Sequence, residues 1–127
     1  MRLMNQPSFN TRQQGQAFEA LAESYLCQRR LVPIMRNFQC RSGEIDLIMK
    51  DGSCIVFIEV KYRTKSRYGS AVDAVTYHKQ RKLKRTALFW LQKNGLSTEH
   101  TEFRFDIVAI QGSAHTIEWF TNTLVEG

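Results

Sequence analysis

The sequence predicts an α/β domain with the element order α-β-β-β-α-β and one further short β element at its end. Three observations predict it. Residues 44–50 and 54–62 are β-branched, apolar runs separated by Asp51-Gly52-Ser53, a hairpin signal. One segment before this hairpin and one after it carry apolar residues at helical spacing. Both hairpin strands are apolar at nearly every position except the ends away from the turn, the pattern of a sheet covered on both faces.

The elements follow in order. Residues 1–10 are polar and aperiodic and read as a flexible tail. Residues 11–127 read as a single domain. The first helix is expected over 11–29, where Phe18, Leu21, Ala22, Tyr25 and Leu26 form one apolar face. A strand is expected over 34–40, with Pro33 at its entry, a place a strand tolerates at its start or on a sheet edge. After the hairpin come a basic loop, 63–70, and a second helix over 72–94. Val72, Val75, Leu83, Ala87, Trp90 and Leu91 are its buried stripe and Gly95 its C-terminal cap. A strand over 102–111 ends at Gly112, and 115–120 form a last strand or extended tail.

Composition narrows the class. With 43% apolar residues and eight Phe, the chain can build a core without disulfides. Cys27, Cys40 and Cys54 are odd in number and lack the close spacing of a zinc site, so they read as buried or half-buried thiols in a reducing compartment. No apolar run resembles a signal peptide or a membrane span, and a cytoplasmic location without membrane contact is the expectation. The net charge of +6 points to an anionic partner. Lys61 to Lys93 hold ten of the eighteen Lys and Arg but only one of the twelve acids, Asp73.

Glu44, Asp46, Glu59 and Lys61 stand out among apolar neighbours. Side chains alternate along a strand, so Glu44 shares a face with Asp46, and Glu59 with Lys61. A Gly52-Ser53 turn of type II′ sets Asp46 opposite Glu59 and Glu44 opposite Lys61. An Asp51-Gly52 turn instead sets Glu44 opposite Glu59. In both registers the four side chains share one face. Carboxylates opposed at ~5 Å destabilise a sheet unless a cation lies between them. Hard oxygen donors suit Mg²⁺ or Mn²⁺, so Asp46 and Glu59 are the candidate metal ligands. Lys61 can orient or deprotonate a water, or neutralise a phosphate. The plainer alternative is a Glu59–Lys61 surface ion pair beside two strand-end acids.

These residues resemble the restriction-endonuclease-like, or PD-(D/E)xK, nucleases. Gly43-Glu-Ile-Asp-Leu-Ile48 and Phe57-Ile-Glu-Val-Lys-Tyr-Arg63 are similar to the metal-binding strands of the Holliday-junction-resolvase-like branch, and more closely to the YraN family of bacterial proteins. Gly15, Glu19, Ala22 and Leu26, the Arg36-Asn37 pair, Val75 with Lys79-Gln80 and Leu83, and Arg104-Phe105-Asp106 extend that resemblance along nearly the whole chain. It implies a three-layer α-β-α fold around a central mixed sheet, with metal on Asp46 and Glu59 assisted by Lys61. Glu19 matches a first-helix carboxylate of related resolvases, although Phe18 stands where the family usually has Gly. Analogy with resolvases also implies a homodimer.

Arg63, Lys65 and Arg67 follow the site directly, interleaved with Tyr62 and Tyr68, and residues 78–85 carry five Lys or Arg. Such clusters bind phosphates with salt-dependent, largely sequence-independent affinity. Arg63, Lys65, Arg67, Lys79, Gln80 and Lys82 are therefore the candidate nucleic-acid contacts. His78, His100 and His115 show no ligand spacing, and Trp90 and Trp119 read as core. The function expected is a Mg²⁺- or Mn²⁺-dependent endonuclease-like phosphodiesterase acting on branched or structured DNA, with DNA favoured over RNA. The alternative is a catalytically silent nuclease-fold module that binds DNA or RNA in a processing assembly. A protein-interaction domain with charge serving only solubility is a third, weaker reading.

Overall fold

The computed structural model describes residues 11–63 and 77–123. Its elements are α1 (Thr11–Cys27), β1 (Val32–Cys40), β2 (Gly43–Asp51), β3 (Cys54–Arg63), α2 (Tyr77–Lys93), β4 (Phe103–Gln111) and β5 (Thr116–Phe120). The five strands make one sheet in the order β1-β2-β3-β4-β5. β3 and β4 pair in parallel and every other pair is antiparallel. The sheet is mixed, and the chain is an α/β protein with a helix packed on each face.

Strand alternation builds the two cores. On one face Leu47, Met49, Val56, Ile58, Val108 and Ile110 pack against Ala22 and Leu26 of α1. On the other, Ile48, Ile55, Phe57 and Phe105 pack against Leu83, Ala87, Trp90 and Leu91 of α2. Phe57 sits centrally in the second core, with Trp90, Phe103 and Phe105 rings 5.5–5.9 Å away. Double coverage explains the unbroken apolar run of β3, buried from Cys54 to Ile58.

Both helices close with the same device. Gly95 (φ 72) follows α2, while Leu96 N–H bonds Leu91 O and Gly95 N–H bonds Gln92 O. This is a Schellman cap built on the expected glycine. α1 ends alike at Arg30 (φ 78), with Leu31 N–H to Leu26 O and Arg30 N–H to Cys27 O. There a non-glycine residue accepts the left-handed conformation while Leu31 is buried beside Leu26.

The hairpin turn is Gly52-Ser53. Gly52 alone of the two has positive φ, the type II′ signature, and Asp51 pairs with Cys54. β1 begins earlier than the pattern suggested, because a bulge between Pro33 and Met35 absorbs the proline on an edge strand. The last element is a strand, paired antiparallel with β4. One expectation is corrected. Cys54 is buried and Cys40 half-buried, but Cys27 is exposed, since it ends α1 on the side turned away from the sheet. The expected tail 1–10, the basic-loop residues 64–70, and Val72 and Val75 lie outside the described residues.

Candidate metal and nucleic-acid site

The site forms at the carboxyl end of β3, where the sheet opens. The β2–β3 ladder runs from Asp51↔Cys54 to Leu47↔Ile58 and then stops. One residue further, Asp46 Oδ2 accepts the Val60 N–H at 2.8 Å. A side-chain carboxylate thus takes a backbone donor of the neighbouring strand, and the two strands are held together through it.

Asn37 marks the same level on β1. It has φ 55, and the β1–β2 pairing passes from Arg36↔Leu47 to Phe38↔Ile45 across it. Leu47 faces α1, yet Ile45, two residues away, packs in the α2 core with Phe38. Strict alternation would keep Ile45 and Leu47 on one face. The alternation of β2 breaks between Ile45 and Leu47, beside the left-handed Asn37 of β1. Glu44 is exposed and accepts a hydrogen bond from Gln39 Nε2 at 3.1 Å, and its expected pairing with Lys61 lies beyond the end of the ladder.

Glu59 and Lys61 stay on the α2 face, continuing the alternation of Ile55 and Phe57. Both side chains are largely buried, and Lys61 Nζ lies 3.4 Å from Glu59 Oε2. The plain surface ion pair is therefore not what forms. From α2, Lys79 Nζ reaches the same oxygen at 2.6 Å. A cleft of about 310 Å³ separates an acidic wall of Glu44, Asp46 and Glu59 from a wall of His78, Lys79 and Lys82, with Thr86 at its base. Gly43 lets the two walls approach. A Cβ there would meet Thr86 Oγ1 at 3.2 Å, and its φ of 150° is one that other residues rarely adopt.

Glu19 reaches the site from the α1 side. It is buried beside Asn37 and Asp46, and its Oε1 has no hydrogen-bond partner. With Arg12, Gln16, Asn37, Gln39 and Glu44 it lines a second polar cleft of about 510 Å³. Phe18 stacks on Tyr62 of β3, with centroids 3.9 Å apart and planes at 14°. The residue before Glu19 therefore anchors α1 to the strand that carries Lys61.

Burial dominates the electrostatics. Asp46 is pushed up to about 8, first by burial and then by the charge of Glu59, with Glu19 and Glu44 adding and the Val60 N–H opposing. Burial also raises Glu19, against the bonds from Asn37 and Asp46. Lys61 is lowered by burial and by neighbouring Lys79. For Lys79, burial is the largest single effect and works against the charge, but the bonds to Glu59 and Lys61 and the charges of Glu59 and Asp46 together leave the group raised.

Among the other expected contacts, Lys82 lines the cleft, whereas Arg63 donates to the Tyr62 carbonyl at 3.0 Å and Gln80 is half-buried on α2; neither borders the cleft. Lys65 and Arg67 lie outside the described residues. Asn37 and His78 border the two clefts although no spacing in the sequence marks them as site residues. Asp106 is structural: it is buried and accepts bonds from Arg104 Nε, Trp119 Nε1 and Asn122 N.

Residues 18–110 match the model of "Uncharacterised protein family UPF0102". The chain belongs to this family. It is 67% identical to a UPF0102 protein of Photobacterium profundum over 118 residues, 93% of this chain and 94% of the relative. UPF0102 proteins of Aliivibrio fischeri and Vibrio cholerae are 56% and 38% identical, each covered by 93% of this chain and over 96% and 97% of their own length. A solved structure, an EndoMS–dsDNA complex, is similar at a TM-score of 0.35 and 17% identity, covering 83% of this chain and 48% of that one. Among the described residues of this UPF0102 protein, no helix is long and apolar enough to cross a membrane.

Proposed function

We propose that this UPF0102 protein is a Mg²⁺- or Mn²⁺-dependent endonuclease-like phosphodiesterase that acts on DNA, with branched or structured DNA as its preferred form. The observation that carries this reading is one cleft with Asp46 and Glu59 on one wall, Lys61 beside them and a basic wall opposite.

The donor set fits a hard cation. Asp46 and Glu59 offer carboxylate oxygens, and Mg²⁺ usually takes one or two carboxylates with waters completing its shell. Among the described residues no group of three or more His, Cys, Asp and Glu is arranged to hold a metal, so the ligand count stays at two. Asp46 is half-buried against like charge and Glu19 Oε1 is orphaned; positive charge at this point would relieve both. Asp46 and Glu59 would hold the ion, which when bound supplies a Lewis acid for a scissile phosphate oxygen.

The chain's own groups do the rest. Lys61, largely buried beside Glu59, orients the attacking water or neutralises charge on the scissile phosphate. Lys79 and Lys82 hold phosphates from the opposite wall, and Arg63, Lys65, Arg67 and Gln80 are the further candidate phosphate contacts. The preference for DNA, and the homodimer that would act on a symmetric junction, rest on the resemblance to resolvases alone.

A silent binding module is the second reading, and one observation favours it: Lys79 already neutralises Glu59 at 2.6 Å. Incubation of duplex, single-stranded, flap and four-way-junction DNA, and matching RNA, with Mg²⁺ or Mn²⁺ separates the two. We expect cleavage by the wild type that Asp46→Ala and Glu59→Ala abolish. Equal degradation by all three proteins would mark contamination and sink the proposal. Salt-sensitive binding without cutting would establish the silent module.

A further inference from the structure

We propose that Lys79 is an internal counter-ion for Glu59, which a divalent cation must displace, and which then serves as a phosphate ligand in the same cleft. This inference rests on the metal-site reading above. It concerns what the protein does before metal arrives.

Two ammonium groups share Glu59 Oε2, Lys79 at 2.6 Å and Lys61 at 3.4 Å. They are not equivalent. Lys61 is fixed on a central strand and its side chain is 12% exposed. Lys79 comes from a helix, at the open side of the cleft, with a side chain 37% exposed. Its four-carbon stem can swing while α2 stays packed through Leu83 and Ala87. A divalent cation binds carboxylate oxygen at about 2.1 Å, so it cannot share Oε2 with an ammonium group 2.6 Å away without strong repulsion.

Displacement has a ready destination. Lys79 belongs to the cleft wall that also presents His78 and Lys82. Off Glu59, its charge remains in the cleft, where a phosphate would pass. Metal binding therefore releases a phosphate ligand, and phosphate binding releases a metal ligand. Thermodynamic linkage makes that coupling reciprocal.

The test compares wild type with Lys79→Met and Lys79→Gln, each confirmed as folded by circular dichroism and thermal melting. Mn²⁺ affinity is measured without nucleic acid, by electron paramagnetic resonance of the free ion. We expect both variants to bind Mn²⁺ roughly two- to fivefold more tightly, the scale of a partly exposed ion pair. Unchanged or weaker binding would overturn the counter-ion role. If wild type and both variants bind no Mn²⁺, the metal-site reading itself fails; equal binding by all of them defeats only the inference about Lys79.

The phosphate role is read in EDTA with a labelled DNA duplex, through a Glu59→Gln and Lys79→Met double-mutant cycle. Glu59→Gln should strengthen duplex binding more when Lys79 is present than when it is Met. Equal gains in the two backgrounds would show that freed Lys79 does not reach phosphate.

Discussion

Asp46 is caught between two demands. Its carboxylate bonds the Val60 N–H at 2.8 Å and so holds β2 to β3 where their ladder ends. Burial and Glu59 meanwhile resist its ionisation and push its pKa up to about 8. A group with a raised folded pKa keeps the extra proton longer in the native state. Its stabilising contribution is complete below the unfolded value near 3.8 and is lost as pH rises through about 8. Metal-free wild type should therefore lose stability across that window, by up to about 1.4 kcal/mol per pH unit from this residue. Asp46→Asn removes the slope and should be the more stable protein at neutral pH in EDTA. Urea unfolding at several pH values measures it; a parallel pH dependence in the variant would contradict the assignment. The carboxylates themselves are legible in sequence because they interrupt an apolar run. Lys79 as the partner of Glu59 is not, since basic residues surround α2 and only packing fixes which one faces the sheet.

β1 and β2 show where pattern reading stops. The turn residues and the apolar alternation leave two β2–β3 registers open, and the Gly52-Ser53 turn realises one of them. Nothing in a two-residue period announces that Asn37 adopts φ 55 within β1. Beside it Ile45 packs in the α2 core and Glu44 is an exposed partner of Gln39. Asn tolerates the left-handed region and β-branched residues do not. Asn37→Val should cost roughly 1–2 kcal/mol, whereas Asn37→Gly keeps the geometry and stays within about 1 kcal/mol of wild type. Chemical denaturation checks the pair. Equal losses would show that the side chain beside Glu19, and not the backbone, is what matters. The cap at Gly95 was visible as a glycine; the equivalent cap at Arg30 was not, because no residue type signalled it.

The fold as a whole brings opposite charges to one place by different routes. Among the described residues two helices cover a mixed sheet, and acids from its strands meet bases from α2 across a cleft of about 310 Å³. Such a division suits a ligand that is anionic but carries a cation. Duplex binding should weaken with salt in proportion to the phosphates contacted, and Lys82→Ala should lower the log–log slope by about 1 with little dependence on sequence. An unchanged slope in that variant would place the phosphates elsewhere. The whole-chain resemblance was readable because it rests on helices and strands together; the depth of the cleft was not, because it depends on how closely α2 approaches Gly43. The most direct test of the account is crystallographic, with Mn²⁺ introduced and its anomalous scattering recorded. We expect one peak, held by the carboxylates of Asp46 and Glu59, with the Lys79 ammonium moved off Glu59. A peak at other ligands, or none at saturating Mn²⁺, would contradict it.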